Sequence, residues 1–225
     1  MSPATDVIHA WMRSDRPAVI FDFNGTLSQD EPVLCRIYRE LFAEYDEPIS
    51  EREYYETLSG LAEHTIAELC LGHGDPRIPV FIRERIDRYR ALVADGSTVP
   101  EATRDAVRFA AGHARLAIVS GAAREEIVPV VAAAGLGGLM AIVVADDDVA
   151  LGKPDPESYL LALRELGVAG AETLVFEDTE AGVASAKAAG AHVVALLGTQ
   201  APQRLAGADE RVGTIDVPLL RRLLG

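Results

Sequence analysis

The chain has 225 residues and a mass of 24.1 kDa, with 21 Lys+Arg against 35 Asp+Glu and a formal net charge of −14. At 49% hydrophobic and 25% charged it has globular proportions, and its acidity repels phosphodiester backbones, which disfavours a nucleic-acid-coating role. Cys35 and Cys70 are too few for a disulfide framework or a cysteine metal cage, and only two of the basic residues, Lys153 and Lys187, are lysines.

The first sixteen residues carry Asp6, His9 and Asp15 and no apolar run of signal-peptide type, so a reducing cytosol is the expected compartment. Trp11 with Val7 and Ile8 predicts a short helix there. Ala18-Val19-Ile20-Phe21 reads as a strand running into Asp22. From Ser28 to Asp95 the rhythm is helical, with apolar stripes Leu34, Ile37, Tyr38, Leu41, Phe42, Tyr45 and Ile82, Ile86, Tyr89, Val93. No strand-like run interrupts it, which predicts an all-helical insert of 68 residues closed by a return linker at Asp95-Gly96-Ser97-Thr98.

Strand-like runs then resume. Leu116 to Val119 ends in Ser120-Gly121, Ala141 to Val144 in Ala145-Asp146-Asp147-Asp148, and Thr173 to Phe176 in Glu177-Asp178. His192 to Leu197 ends at Gly198. Ile127 to Ala145 is uncharged for 19 residues, the length of a membrane span, but Pro129 and the glycines at 135, 137 and 138 predict a buried helix followed by a buried strand. Helices are expected after an Asp155-Pro156 cap, with Tyr159, Leu160, Leu163 and Leu166 as the stripe, and from Glu180 to Ala189 before Gly190. Doubly apolar strands alternating with helices imply an α/β fold, a doubly wound, Rossmann-like parallel sheet. Ligands bind such sheets beyond the carboxyl ends of the strands, where the polar endings Asp22, Ser120 and Asp178 would meet.

Phe21-Asp22-Phe23-Asn24-Gly25-Thr26-Leu27 resembles the first motif of the haloacid dehalogenase (HAD) superfamily, normally Asp-x-Asp-Gly-Thr-Leu after an apolar strand. Ile118 to Gly121, Gly152-Lys153-Pro154-Asp155-Pro156 and Phe176-Glu177-Asp178-Thr179 match its second, third and fourth motifs in order. The resemblance covers roughly the whole chain and points to the phosphoglycolate phosphatase and β-phosphoglucomutase branch. It implies a core of residues 1–27 and 96–225 with a helical cap of residues 28–95. It also implies a phosphatase using Mg²⁺ on a small phosphorylated metabolite, as a monomer or homodimer, with no nucleic-acid or membrane partner.

The resemblance implies Asp22 as the nucleophile that forms an aspartyl-phosphate. Asp22, Asp178, the backbone carbonyl of Asn24 and Glu177, directly or through water, would hold Mg²⁺. Ser120, Gly121 and Lys153 would bind the phosphate, with Lys153 also neutralising the nucleophile. Asn24 departs from the pattern, because family phosphatases place an acid–base aspartate there. An amide cannot exchange a proton at useful pH, so slow turnover of alkyl phosphates is expected, with faster turnover of aryl or acyl phosphates. Asn24-Gly25 also raises the expectation that some molecules deamidate to aspartate.

Glu177-Asp178 argues against the metal-free dehalogenase branch, and the insert has no lysine for phosphonatase chemistry. Leu34, where mutases carry a histidine, leaves a sugar phosphomutase as a minor reading. The main alternative is a catalytically impaired ligand-binding or regulatory protein. Arg83, Arg85, Arg88 and Arg90 read as a solvated face, His64 and His73 as structural or exposed, the three aspartates from Asp146 as a hydrated loop, and both cysteines as core residues.

Overall fold

A computed structural model describes residues 17–225, so the helix expected around Trp11 lies outside the described residues. Six parallel strands form one sheet in the order β3-β2-β1-β4-β5-β6. They are β1 (Ala18–Phe21), β2 (Arg115–Val119), β3 (Met140–Val144), β4 (Thr173–Glu177), β5 (His192–Leu196) and β6 (Glu210–Val212). Helices α4 (Glu101–Ala111), α5 (Arg124–Ala133), α6 (Glu157–Leu166), α7 (Glu180–Ala188) and α8 (Val217–Leu224) accompany the sheet.

Alternation along each strand feeds two cores. Val19, Phe21, Leu116, Ile118, Leu174 and Phe176 pack on one face with Val107 of α4, Ile127 of α5 and Leu220 of α8. Ala18, Ile20, Ala117, Val119, Val175 and Val193 pack on the other with Tyr159 and Leu163 of α6 and Val183 of α7. Each large apolar side chain so buried contributes roughly 1.5–3 kcal/mol, which is why the uncharged β1 occupies the middle of the sheet. Its position also sets the site. Phe21 is in register with Ile118 of β2 and Phe176 of β4, so the residues that follow these strands emerge side by side.

Between β1 and α4 the regular elements are all helices, as expected. The main helices are α1 (Glu31–Glu44), α2 (Glu63–Leu71) and α3 (Ile78–Val93), with a short helical turn at Glu51–Glu53 running into a π-helical turn at Tyr54–Leu58. α1 buries Cys35, Ile37, Tyr38, Leu41 and Phe42, and α3 buries Phe81, Ile86, Tyr89 and Val93. The two connections to this segment run together: Gln29 N donates to Thr98 O at 2.8 Å and Ser28 Oγ to Thr98 Oγ1 at 2.7 Å. No helix among the described residues is long and apolar enough to cross a membrane.

Four details differ from the sequence expectation. β3 is half-exposed because, among the described residues, it is an edge strand with no neighbour on its outer side. β6 is polar and three residues long, too short for a hydrophobic pattern. α6 begins at Glu157, one residue later than expected, with Pro156 at the cap position and Asp155 Oδ1 accepting from Glu157 N at 2.9 Å. Of the four arginines expected on a solvated face, Arg85 is buried. It makes a two-pronged ion pair with Glu126 at the start of α5, one prong of it at 3.1 Å, and also pairs with Glu63. Arg83 and Arg90 both reach Glu125 beside it, so α3 is bound to α5 by a row of charge pairs.

Candidate active site

The site is assembled at the carboxyl ends of β1, β2 and β4. Asp22 follows β1 and is tied to β4 by its backbone N–H, which donates to Phe176 O at 2.9 Å. Glu177 closes β4 and Asp178 follows it. Asp22, Glu177 and Asp178 are all buried, with one carboxylate oxygen of each lying within 4.8 Å of the others. Lys153 reaches them from the loop before α6. Its Nζ donates to Asp22 Oδ1 at 2.6 Å and Val119 O at 3.1 Å, and it also hydrogen-bonds Glu177 Oε1.

Three carboxylates against one ammonium leave, when all are ionised, an excess of two negative charges in a buried site. Burial, with Glu177 adding repulsion, pushes the Asp22 carboxyl up from 3.8 to about 7 even though Lys153 pulls it down. Burial first, then Asp22 and Glu177, raises Asp178 well above the usual carboxylate range. Burial opposes the charge on Lys153, but Asp22 and Glu177 outweigh it and hold its pKa above the ordinary lysine value. A buried, all-oxygen acidic set in electrostatic deficit is a fit for a small divalent cation such as Mg²⁺.

Local structure fixes each carboxylate. Glu177 Oε1 accepts from Tyr159 OH at 2.8 Å as well as from Lys153, and its Oε2 accepts from the N–H groups of Asp178 and Thr179 at 3.0 and 3.3 Å. Asp178 Oδ1 accepts from Thr26 Oγ1 at 3.3 Å. Gly25 has φ +72°, and a Cβ there would lie 2.0 Å from Asp178 Oδ2, so the turn after Asn24 requires glycine twice over.

The structure thus brings Asp22, Lys153, Glu177 and Asp178 together. Ser120 is buried on the adjacent strand end, its Oγ accepting from Ala122 N at 3.1 Å. Gly121 is exposed, with open space where a side chain would be. The Asn24 side chain turns to Asp30 and Tyr89. Gly25 N, the atom that would attack the Asn24 amide in deamidation, donates to Ser28 O at 2.7 Å, which opposes that reaction in the folded chain. His64 and His73 are exposed beside Glu68, and Cys35 and Cys70 are buried free thiols. The aspartates from Asp146 are exposed, as expected of a hydrated loop, and form a short turn in which Asp147 and Asp148 accept from Arg124.

Sequence reasoning missed Asp30, Thr26 and the hydroxyls of Tyr89 and Tyr159 as parts of the site. Both tyrosines sat on expected buried stripes, and a buried phenol signals an unseen polar partner.

A lysine spanning carboxylates from two strand ends lies at the carboxyl edge of a doubly wound α/β sheet, where such folds place their ligand sites. The chain belongs to the haloacid dehalogenase-like hydrolases, whose sequence model matches residues 17–190. It is 34% identical over 190 residues to Protein CbbY of Rhodobacter capsulatus, covering 79% of this chain and 83% of that one. It is 29% identical over 178 residues to the fructose-1-phosphate phosphatase YqaB of Escherichia coli, covering 78% of this chain and 94% of the relative. A mutant CbbY from Rhodobacter sphaeroides, solved in complex with xylulose-(1,5)bisphosphate, superposes with a TM-score of 0.79 at 28% identity over 89% of this chain and 95% of that one.

Proposed function

We propose that the protein is a Mg²⁺-dependent phosphatase for a small phosphorylated metabolite, working through an aspartyl-phosphate on Asp22. The observation that carries this reading is the Lys153 ammonium donating to both Asp22 and Glu177, with Asp178 beside them. Asp22 attacks phosphorus as the bond to the leaving oxygen breaks, and the leaving group takes the electron pair. Water then attacks the same phosphorus, releasing phosphate and restoring the carboxylate. Lys153 keeps charge balanced beside the nucleophile, while Ser120 and the N–H groups near Gly121 would receive phosphate oxygens. Asp22, Asp178 and the Asn24 carbonyl would hold Mg²⁺, which supplies charge neutralisation for the transferring group. Both Glu177 oxygens are already occupied by donors, which favours its support of the metal through water.

The helical segment, residues 28–95, acts as the cap, with 8 basic and 15 acidic residues. Its net charge of 8 − 15 = −7 does not attract an anionic substrate, so capture rests on Lys153 and the metal. The commitment of Asn24 to Asp30 favours, as a second reading, a phosphate-binding regulator that has lost turnover. Rates on p-nitrophenyl phosphate with Mg²⁺, with chelator and for Asp22→Asn separate the two. The phosphatase reading expects turnover abolished by chelation and by the substitution. Binding of BeF₃⁻ with Mg²⁺ but no turnover would establish the regulator.

A further inference from the structure

Glu126 is fully buried, and both of its oxygens are occupied. Arg85 reaches it from α3 with two prongs, Nη1 to Oε1 and Nη2 to Oε2, the second at 3.1 Å. Oε2 also accepts at 3.2 Å from the N–H of Ala123, the residue that caps α5. One carboxylate therefore ties the helical segment to the turn between β2 and α5. A buried ion pair adds little net stability over an apolar pair, and Arg85 Nε is buried here with no hydrogen-bond partner among the described residues. Stability alone gives little reason for the contact.

The turn so held is the one that carries Ser120 and Gly121. Its N–H groups are committed one by one. Ser120 N donates to Val144 O at 3.0 Å, Ala122 N to Ser120 Oγ at 3.1 Å, Ala123 N to Glu126, and Arg124 N to Asp147 Oδ2 at 2.9 Å. Gly121 N has no partner among the described residues, and the space beside this glycine is open. A free N–H in a turn fixed on both sides is a preorganised donor for an anion oxygen. Glu126 holds that turn two residues beyond the free donor.

We propose that Arg85 is a positioning residue that acts through Glu126 on the Ser120–Ala123 turn, so that docking of the helical segment and the grip on phosphate reinforce each other. This rests on the phosphatase reading and adds to it a link between the helical segment and the phosphate. Arg85 is enclosed, its guanidinium engaged by Glu126 and Glu63, so its effect reaches the phosphate through the turn. By linkage, whatever docked Arg85 adds to phosphate affinity, bound phosphate returns to docking.

The test uses the full chain with Mg²⁺, comparing wild type, Arg85→Lys and Arg85→Met/Glu126→Leu. The three have the same net charge, so long-range attraction for an anion is equal. Arg85→Lys keeps a cation but cannot grip both Glu126 oxygens, and the apolar pair removes the acceptor of Ala123 N. Inorganic phosphate is titrated by NMR, hydrogen exchange of the Ala123 N–H is followed in the same samples, and KM and kcat are measured on p-nitrophenyl phosphate. In both variants the phosphate Kd should rise by about two- to tenfold, the worth of one hydrogen bond, KM should rise with it, and Ala123 should lose protection. A merely structural role predicts that the apolar pair, which leaves no fully buried charge unpaired, binds phosphate as wild type does. Wild-type phosphate affinity in either folded variant, or unchanged Ala123 protection in Arg85→Lys, overturns the proposal. Should Arg85→Lys not fold, the apolar pair carries the test. If wild type turns over no ester and binds no phosphate, the phosphatase reading fails, while Ala123 exchange still decides whether Arg85 acts through Glu126.

Discussion

Lys153 Nζ lies 2.6 Å from Asp22 Oδ1 although 131 positions separate the two residues in the chain. The contact joins the loop before α6 to the end of the central strand and compensates the most crowded negative charge in the described structure. Lys153→Met is expected to cut kcat on an aryl phosphate by about 10²–10³, the scale for losing one preorganised donor. It also leaves Asp22 and Glu177 without their cation, so a lower Tm should accompany the loss. Wild-type kcat in the variant would remove Lys153 from the chemistry.

Gly182 tests how tightly Glu177 must be held. A Cβ at this position would lie 1.9 Å from Glu177 Oε1, so alanine must displace the carboxylate that supports Lys153. A shift of about 1 Å in a positioned group costs about 10²-fold in rate, and Gly182→Ala should lose activity on that scale while circular dichroism shows the fold retained. Unchanged kinetics would show that Glu177 has room to move.

The Arg85–Glu126 pair tests the attachment of the helical segment to the core. Both side chains are buried, and removing one leaves an uncompensated charge. Arg85→Met should therefore cost about 3–5 kcal/mol in chemical denaturation, whereas Arg85→Met with Glu126→Leu should recover much of it. Additive losses in the double variant would show that the two charges do not depend on each other.

Stability should also respond to pH through Glu31, whose carboxylate accepts from Ser59 Oγ at 2.5 Å and Tyr54 OH at 3.0 Å. Burial raises its pKa above the ordinary 4.5, outweighing the pull of the two hydroxyls. The folded state then holds the proton more tightly than the unfolded chain. Its stabilising contribution is full below pH 4.5 and is lost as pH rises through the higher folded value. Thermal melts of Glu31→Gln from pH 4 upward should lack that decline, and curves parallel to wild type would contradict the assignment.

The cluster of Asp22, Lys153, Glu177 and Asp178 was legible because each member ends a short local pattern: Asp22 after an apolar strand, Glu177-Asp178 after another, Lys153 inside Gly-Lys-Pro. Parallel register then brings strand ends together without further information. What the sequence concealed depends on distant partners. Arg85 looks like its solvated neighbours until Glu126, 41 positions away, is placed against it. Asn24 looks like a weakened acid until Asp30 and Tyr89, 6 and 65 positions on, are seen to hydrogen-bond its amide nitrogen. Edge strands escaped for another reason, since β6 buries too little to carry a pattern.

In the proposed reaction Asp22 carries the phosphoryl group. Quenching the enzyme during turnover of an aryl phosphate, reducing it with borohydride and sequencing the peptide across β1 by mass spectrometry tests this directly. An aspartyl-phosphate is reduced to homoserine, so homoserine at position 22 is the predicted result. Sustained turnover with unmodified aspartate at position 22 would contradict the account.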